Sequence, residues 1–397
     1  MSDRFDIAVV GGGPAGAAAA WKAAAVGARV VCFDKAAFPR EKPCGDGITP
    51  RAASLVAAMG LGASLTKFHQ IDGIRVFSPR RWQASWPERE GIPRTAYVAR
   101  RTDFDQMLIT HAAATGADVR ERTRVVAPIM ERGRVAGVVV RDEMGTERIV
   151  RADVVIAADG AYSTLKRALA PASSINGYTA VAIRAEMDAC RDDDNYYEIY
   201  TRLWHENRAL PGYGWVFPLG DQRVNIGIGY LTSYRKWRQV NAADLMANLM
   251  ADLPSHWQLP DLGSLRRSKA LQAWRLPTGF NTWPPFLPGI MFAGDAAGTV
   301  KPGNGAGISK ALQSGMIAGE CAVNSLQTDG PDDFSDYAQQ LSQLWGTEYR
   351  MGRVVHRVIG NPRAMHIANT LLDQPRARRT TIRVLYGKDG LASYTEE

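Results

Sequence analysis

The opening of the chain constrains its fold more than any other segment. An apolar run, Asp6–Val10, leads directly into Gly11-Gly12-Gly13-Pro14-Ala15-Gly16. An Ala-rich stretch, Pro14–Val26, then precedes a second apolar run, Arg29–Phe33, which ends at Asp34. The two short runs read as buried parallel strands and the stretch between them as a helix, so the chain begins with one βαβ unit. The glycines follow the G-x-G-x-x-G pattern, and each has a physical reason. Gly11 permits a tight turn out of the strand, Gly13 lets backbone approach a pyrophosphate, and Gly16 lets the helix pack closely on the strand. The helix start at Pro14 and Ala15 offers unpaired N–H groups and partial positive charge to phosphates. Asp34, at the end of the second strand, is placed to accept the hydroxyls of an adenosine ribose. The expected ligand is a dinucleotide.

The rest of the chain can house such a site. It has 397 residues, 46% of them hydrophobic, enough for a packed core and more than one domain. A net charge of +8 favours anionic partners. No long Lys/Arg block or nucleic-acid-binding signature accompanies it, so nucleic acid is not expected as a partner. Cys32, Cys44, Cys190 and Cys321 are scattered without a C-x-x-C pair, so neither a metal site nor a disulfide framework is expected. Met1–Asp6 lacks the pattern of a signal peptide, and no window has the ~18 apolar residues of a membrane span. The cytoplasm is the default compartment.

Further strand–turn–helix junctions follow. Val154–Ala158 leads to Asp159-Gly160. Ile290–Ala293 leads to Gly294-Asp295, then to Lys301-Pro302-Gly303-Asn304-Gly305-Ala306-Gly307 and a helix over Gly305–Asn324. Asp295 is suited to a ribityl hydroxyl. The amides around Gly305, Gly307 and Ile308 suit the flavin pyrimidine edge, where negative charge grows on reduction. Alone, each junction reads equally well as an ordinary βα turn; three such elements in this order are much more specific. Thr102–Thr115 reads as a helix and Arg124–Ile156 as strands. Tyr178–Trp274 differs in texture, with alternating strands, many aromatics and one helix capped by Asn241. It suits a mainly antiparallel sheet inserted into the nucleotide fold. The expected architecture is α/β: a Rossmann-type FAD-binding domain (1–70, 98–175, 281–348), an inserted substrate domain (71–97, 176–280) and a C-terminal helical region (349–397).

The early glycine motif with Asp34, the segment Arg101-Thr102-Asp103-Phe104-Asp105, Asp159-Gly160 and Gly294-Asp295 together resemble the FAD-binding fold shared with para-hydroxybenzoate hydroxylase. The resemblance runs to about Ala322. It implies non-covalent FAD, contacted by Arg101, with Asp159 near both FAD and NAD(P)H. Pro302, Lys35, Arg40 and Val125 complete the expected FAD surroundings. Two further segments resemble the geranylgeranyl reductase family. One is Lys42-Pro43-Cys44-Gly45-Asp46-Gly47-Ile48-Thr49-Pro50-Arg51. The other is Tyr213-Gly214-Trp215-Val216-Phe217-Pro218, which leads to Asn225-Ile226-Gly227-Ile228-Gly229. The nearest pattern is the bacterial branch that reduces the prenyl side chain of menaquinone. This resemblance implies that reduced FAD saturates isoprenoid double bonds. It places Cys44 near the flavin, and Tyr213, Trp215, Phe217 and Asn225 around an apolar or lipid substrate. Cys44 and Asp46 are the expected local proton donors. The chain departs from the family at Lys301, where Asn is usual, and at Ala306, where Glu is frequent.

Plainer readings stand beside these. Cys44 could be an inert turn residue. An aromatic sheet face at Tyr213, Trp215 and Phe217 is by pattern alone more often core than cavity wall; the resemblance reverses that preference. The tail arginines Arg376, Arg378, Arg379 and Arg383 read first as a solvated basic face and second as a contact with an anionic membrane surface. No second G-x-G-x-x-G is present, so NAD(P)H would dock transiently. The fold also admits a flavin monooxygenase, oxidase or halogenase acting on a natural product, and a non-redox binding protein or cyclase with structural FAD.

Overall fold

The structure, a computed structural model, describes residues 3–78, 81–86, 90–170, 178–190, 194–259, 271–280, 282–327, 332–372, 374 and 393–396. Five strands form its parallel layer, in the spatial order 290–292, 147–157, 3–10, 30–33, 118–120. Ile7–Val10 and Val30–Phe33 lie inside this layer and are buried on both faces. Their sequences are accordingly unbroken apolar runs rather than alternating ones. Strands 124–131 and 134–141 extend the layer as an antiparallel meander from strand 147–157.

Helix Pro14–Ala24 follows the first strand, with Pro14 in its first turn, where the missing N–H costs nothing. It packs along helix Ile308–Leu326. A Cβ on Gly315 would lie 2.0 Å from the Ala15 carbonyl oxygen, and one on Gly319 would lie 2.6 Å from that of Ala19. A Cβ on Gly16 would lie 1.7 Å from the Gly11 carbonyl oxygen. The two helices thus meet backbone against backbone, and both begin beside the end of the parallel strands. The second of them starts at Ile308, not at Gly305 as expected. Gly305 has φ +69°, and the 305–307 segment remains a turn.

The second sheet has the strand order 272–277, 179–188, 223–231, 212–220, 196–200, 73–77, 81–85, 393–396. It is antiparallel except where Tyr196–Tyr200 pairs with Gly73–Phe77. That parallel pair is bound by a buried charge cluster: Arg75 Nη1 lies 2.6 Å from Asp194 and 2.8 Å from Glu198. Tyr200 and Trp257 also donate to Glu198. Helix Ala242–Asp252 covers the sheet, and Asn241 accepts from the amides of Ala243 and Asp244 at its start, as its sequence position indicates. Helices Ser335–Ile359 and Pro362–Leu372 end the helical part. The C-terminal region is not helical throughout: Ser393–Glu396 is an edge strand paired with Arg81–Ser85. The tail arginines Arg376, Arg378, Arg379 and Arg383 lie outside the described residues.

The helix contact yields a stability prediction. Gly315→Val forces a branched side chain into the Ala15 backbone and should destabilise the protein by about 1–3 kcal/mol or more, the usual cost of overpacking. Thermal unfolding should show a clearly lowered midpoint; an unchanged midpoint would show that the helices can separate at no cost.

Candidate active site

A cavity of about 690 Å³ runs from the C-terminal ends of the parallel strands to the face of the second sheet. Its first part is built by the glycine-rich turn. Gly11 has φ +98°, and a Cβ there would meet the Ala158 carbonyl at 2.5 Å, so the turn needs glycine for both conformation and space. Gly13, Pro14 and Ala15 line the cavity. Gly16 does not line it; it packs the helix closely on Gly11. Asp34 is buried at the rim, where Oδ2 accepts from Gly12 N–H and Oδ1 from Ala36 N–H, both at 2.9 Å. Its oxygens retain lone pairs for further donors.

Two guanidinium groups cross over this turn. Arg40 sits 3.5 Å from Asp34 and 3.2 Å from Asp105, and its Nη2 lies 3.3 Å from the place of a Gly13 Cβ. Arg101 is buried and makes a two-pronged pair with Asp105 at 2.6 Å. Burial opposes the Arg101 charge, but Asp105 outweighs it and holds the pKa above its ordinary value. Two fixed cations and the uncapped start of helix Pro14–Ala24 form a cradle for a pyrophosphate. Lys35 and Val125 line the same stretch, as do Asp159 and Gly160. Asp159 Oδ2 accepts from Thr164 N–H at 2.7 Å, and burial raises its pKa.

Farther along come Asp295, Pro302, Gly305, Gly307 and Ile308, all on the cavity wall. Helix Ile308–Leu326 begins at Gly307 without a side-chain cap, which leaves its first amides for a ligand. The unusual Lys301 has an intramolecular explanation. Its ammonium lies 3.0 Å from Glu348, whose other oxygen is 2.9 Å from Lys310. Burial opposes ionisation of Glu348, but the two lysines outweigh it and lower its pKa.

The Pro43–Gly47 turn faces the aromatic strand. Tyr213, Trp215 and Phe217 share one face, with ring centroids 6.0 and 6.2 Å apart in succession, and all three line the cavity. A Cβ on Gly45 would lie 3.4 Å from Trp215 and Phe217, and one on Gly47 3.2 Å from the Tyr197 hydroxyl. A Cβ on Gly45 would make ordinary contact with these rings, whereas one on Gly47 would crowd the Tyr197 hydroxyl. Asn225, expected to meet substrate, is a correction: it is fully buried and does not line the cavity. It holds the turn instead. Its Nδ2 donates to the Cys44 carbonyl at 2.8 Å and to Asp46 Oδ2 at 2.7 Å, while its Oδ1 accepts from Trp215 Nε1 at 2.9 Å.

Asp46 lines the cavity with φ +61° and is fully buried. Burial pushes its carboxyl up to about 7, against the opposing pull of Arg184, Asn225 and Arg101; Glu186 adds to the rise. Its Oδ1 has no hydrogen-bond partner among the described residues. Cys44 lines the cavity half-buried, and the Arg101 guanidinium reaches its side chain.

Sequence reasoning missed three residues here. Arg184, paired with Glu186 at 2.9 Å, shares the cavity wall with Ala180 and Ala182. Their alternate spacing on strand 179–188 was the available signal. Lys42 lies 3.6 Å from Asp295 and over the Trp274 ring, which also lines the cavity.

The cavity thus has the chemistry an elongated dinucleotide requires: the buried Asp34, paired arginines over a glycine turn, and a second uncapped helix start. The class this defines is a dinucleotide-binding flavoprotein. The FAD binding domain family model matches residues 4–340. A menaquinone reductase of Mycolicibacterium smegmatis is 34% identical over 90% of this chain and 84% of its own. Digeranylgeranylglycerophospholipid reductase 1 of Methanopyrus kandleri is 30% identical over 87% of each. A geranylgeranyl bacteriochlorophyll reductase-like protein of Thermoplasma acidophilum, 24% identical, shares the fold with a TM-score of 0.82 over 98% of both chains. The chain belongs to the FAD binding domain family and, within it, to the FAD-dependent oxidoreductases of geranylgeranyl reductase type.

The cradle can be tested directly. Gly13→Val places a branched side chain against Arg40 and in the space of the pyrophosphate. The purified variant should be folded but colourless, while the wild type is yellow with FAD, not FMN, released on denaturation. Full FAD retention by Gly13→Val would contradict the assignment.

Proposed function

We propose that this enzyme reduces carbon–carbon double bonds of an isoprenoid or similar apolar chain. The observation that carries the reading is a buried acid, Asp46, fixed beside an aromatic cavity wall by one shared partner, Asn225. Relatives named as reductases of menaquinone and of digeranylgeranylglycerophospholipid support the substrate class. Bound FAD would supply hydride transfer. The residues proposed to hold it are Gly11, Gly13, Pro14, Ala15, Asp34, Lys35, Arg40, Arg101, Val125, Asp159, Gly160, Asp295, Pro302, Gly305, Gly307 and Ile308.

An isolated alkene is a poor hydride acceptor, because positive charge must build on one carbon as hydride reaches the other. A nearby acid that protonates the first carbon relieves this demand. Asp46 meets the requirement. Asn225 occupies Oδ2 with a donated hydrogen bond, which leaves Oδ1 to carry the proton. Burial keeps that proton in place up to about pH 7. Cys44, in the same turn, is the second candidate. Tyr213, Trp215 and Phe217 orient the chain and exclude water. NAD(P)H, or another donor, is proposed to dock transiently. The proposed division of labour assigns segments 1–70, 98–175 and 281–348 to FAD and segments 71–97 and 176–280 to substrate. The membership of strands 73–77, 81–85, 179–188, 196–200, 212–220, 223–231 and 272–277 in the second sheet supports it. The reading includes a cytoplasmic protein that meets its substrate at the membrane periphery. Among the described residues no helix is long and apolar enough to cross a membrane.

Stopped-flow kinetics test this. Cys44→Ala and Asp46→Asn should bind FAD and undergo flavin reduction nearly as the wild type. Asp46→Asn should slow reoxidation by substrate by ~10²–10⁴-fold, the usual worth of general acid catalysis. In the wild type that step should slow as pH rises through about 7, because the acid form of Asp46 is then lost. The pH dependence should vanish in Asp46→Asn. Wild-type rates in both variants would leave the turn a purely structural role.

A further inference from the structure

Among the described residues, half of the large exposed apolar side chains lie on the last two helices. Leu344, Met351, Val354 and Val358 on helix 335–359, and Ile367 and Leu371 on helix 362–372, are each close to half exposed or more. At 3.6 residues per turn the first four fall within one face of their helix, and the last two lie one turn apart. Trp204, also exposed, stands beside them, its ring 6.2 Å from that of His366. Such a face is costly in water and calls for a partner.

Charge indicates which partner. Between Tyr349 and Leu372 the sequence holds Arg350, Arg353, Arg357 and Arg363 and no acidic residue. Arg350, Arg357 and Arg363 are exposed, and Arg363 shares a helix row with Ile367 and Leu371. An apolar helix face with arginines at its margin and a Trp beside it matches an anionic lipid surface, in which the apolar groups enter the acyl boundary and the cations meet headgroups. The same two helices also reach inward. Val355, Ile359, Met365 and Asn369 line the same cavity as Trp215.

We propose that the outer faces of these two helices dock the protein on an anionic lipid bilayer, so that a lipid-borne substrate enters the cavity between bilayer and second sheet. This rests on the apolar-substrate reading for its purpose, but vesicle binding is measured without turnover, so either can fail alone. The FAD-loaded full chain would be sedimented with vesicles of equal parts phosphatidylglycerol and phosphatidylcholine, and with pure phosphatidylcholine vesicles. Binding should be strong to the first, weak to the second, and reduced by salt. Val354→Asp with Ile367→Asp, on exposed positions, should weaken binding at least about tenfold while the flavin spectrum stays unchanged. Met144→Asp, exposed elsewhere, should have no effect. The proposal is overturned by absence of binding to anionic vesicles. It is equally overturned if Arg378→Glu with Arg379→Glu in the tail abolishes binding while Val354→Asp with Ile367→Asp does not. It is also overturned if the latter pair dissociates a dimer in light scattering without altering vesicle binding.

Discussion

Two helices that touch through their backbones organise this molecule. Gly315 and Gly319 lie against the Ala15 and Ala19 carbonyls, and Gly16 lies against Gly11. Side chains at those positions would push helices 14–24 and 308–326 apart. Their contact brings two uncapped helix starts to the same end of the parallel sheet, one at the glycine cradle and one at the Gly305–Ile308 turn. Each start presents free amides and partial positive charge. One end of the cofactor carries phosphates, and the other gains negative charge on reduction. The spacing of two anion-seeking ends is thus set by close packing rather than by any single binding residue.

The second sheet completes the site through a few directed bonds. Asn225 reaches from its strand to the Cys44 carbonyl and the Asp46 carboxyl, while Trp215 donates to it from the neighbouring strand. A buried amide with each of these partners in place is rigid, and removing it would leave several buried polar groups unsatisfied. Trp215 of the aromatic wall and the acid are therefore tied to one side chain. Burial raises the pKa of this carboxyl to about 7, and the nearby arginines only moderate that effect.

Much of this was legible in the residues. The βαβ start, Asp34 and the later Gly-Asp turns needed no tertiary information, because glycine geometry and strand burial are local properties. The aromatic face of Tyr213, Trp215 and Phe217 followed from strand alternation, and Asn241 from helix-capping chemistry. The role of Asn225 was not legible: its partners Cys44 and Asp46 lie far away in the chain, and a polar residue on a strand does not announce which buried groups it serves. Gly16 was read as a packing residue, and it lies against Gly11 as that reading requires. Arg184 was hidden for the same reason as Asn225, since a charged residue on an inward strand face reads as an edge until the sheet is assembled. The exposed face of the last helices was invisible as well, because periodicity marks apolar stripes without saying which of them find a core.

The central claim is that electrons leave the reduced enzyme to a carbon–carbon double bond rather than to oxygen. The most direct test is a single turnover under argon: the enzyme is photoreduced, mixed with a polyprenylated acceptor, and the product is weighed by mass spectrometry. The account predicts flavin reoxidation without oxygen and a product two hydrogens heavier than the acceptor. A flavin that stays reduced until air is admitted, with a product one oxygen heavier, would contradict it.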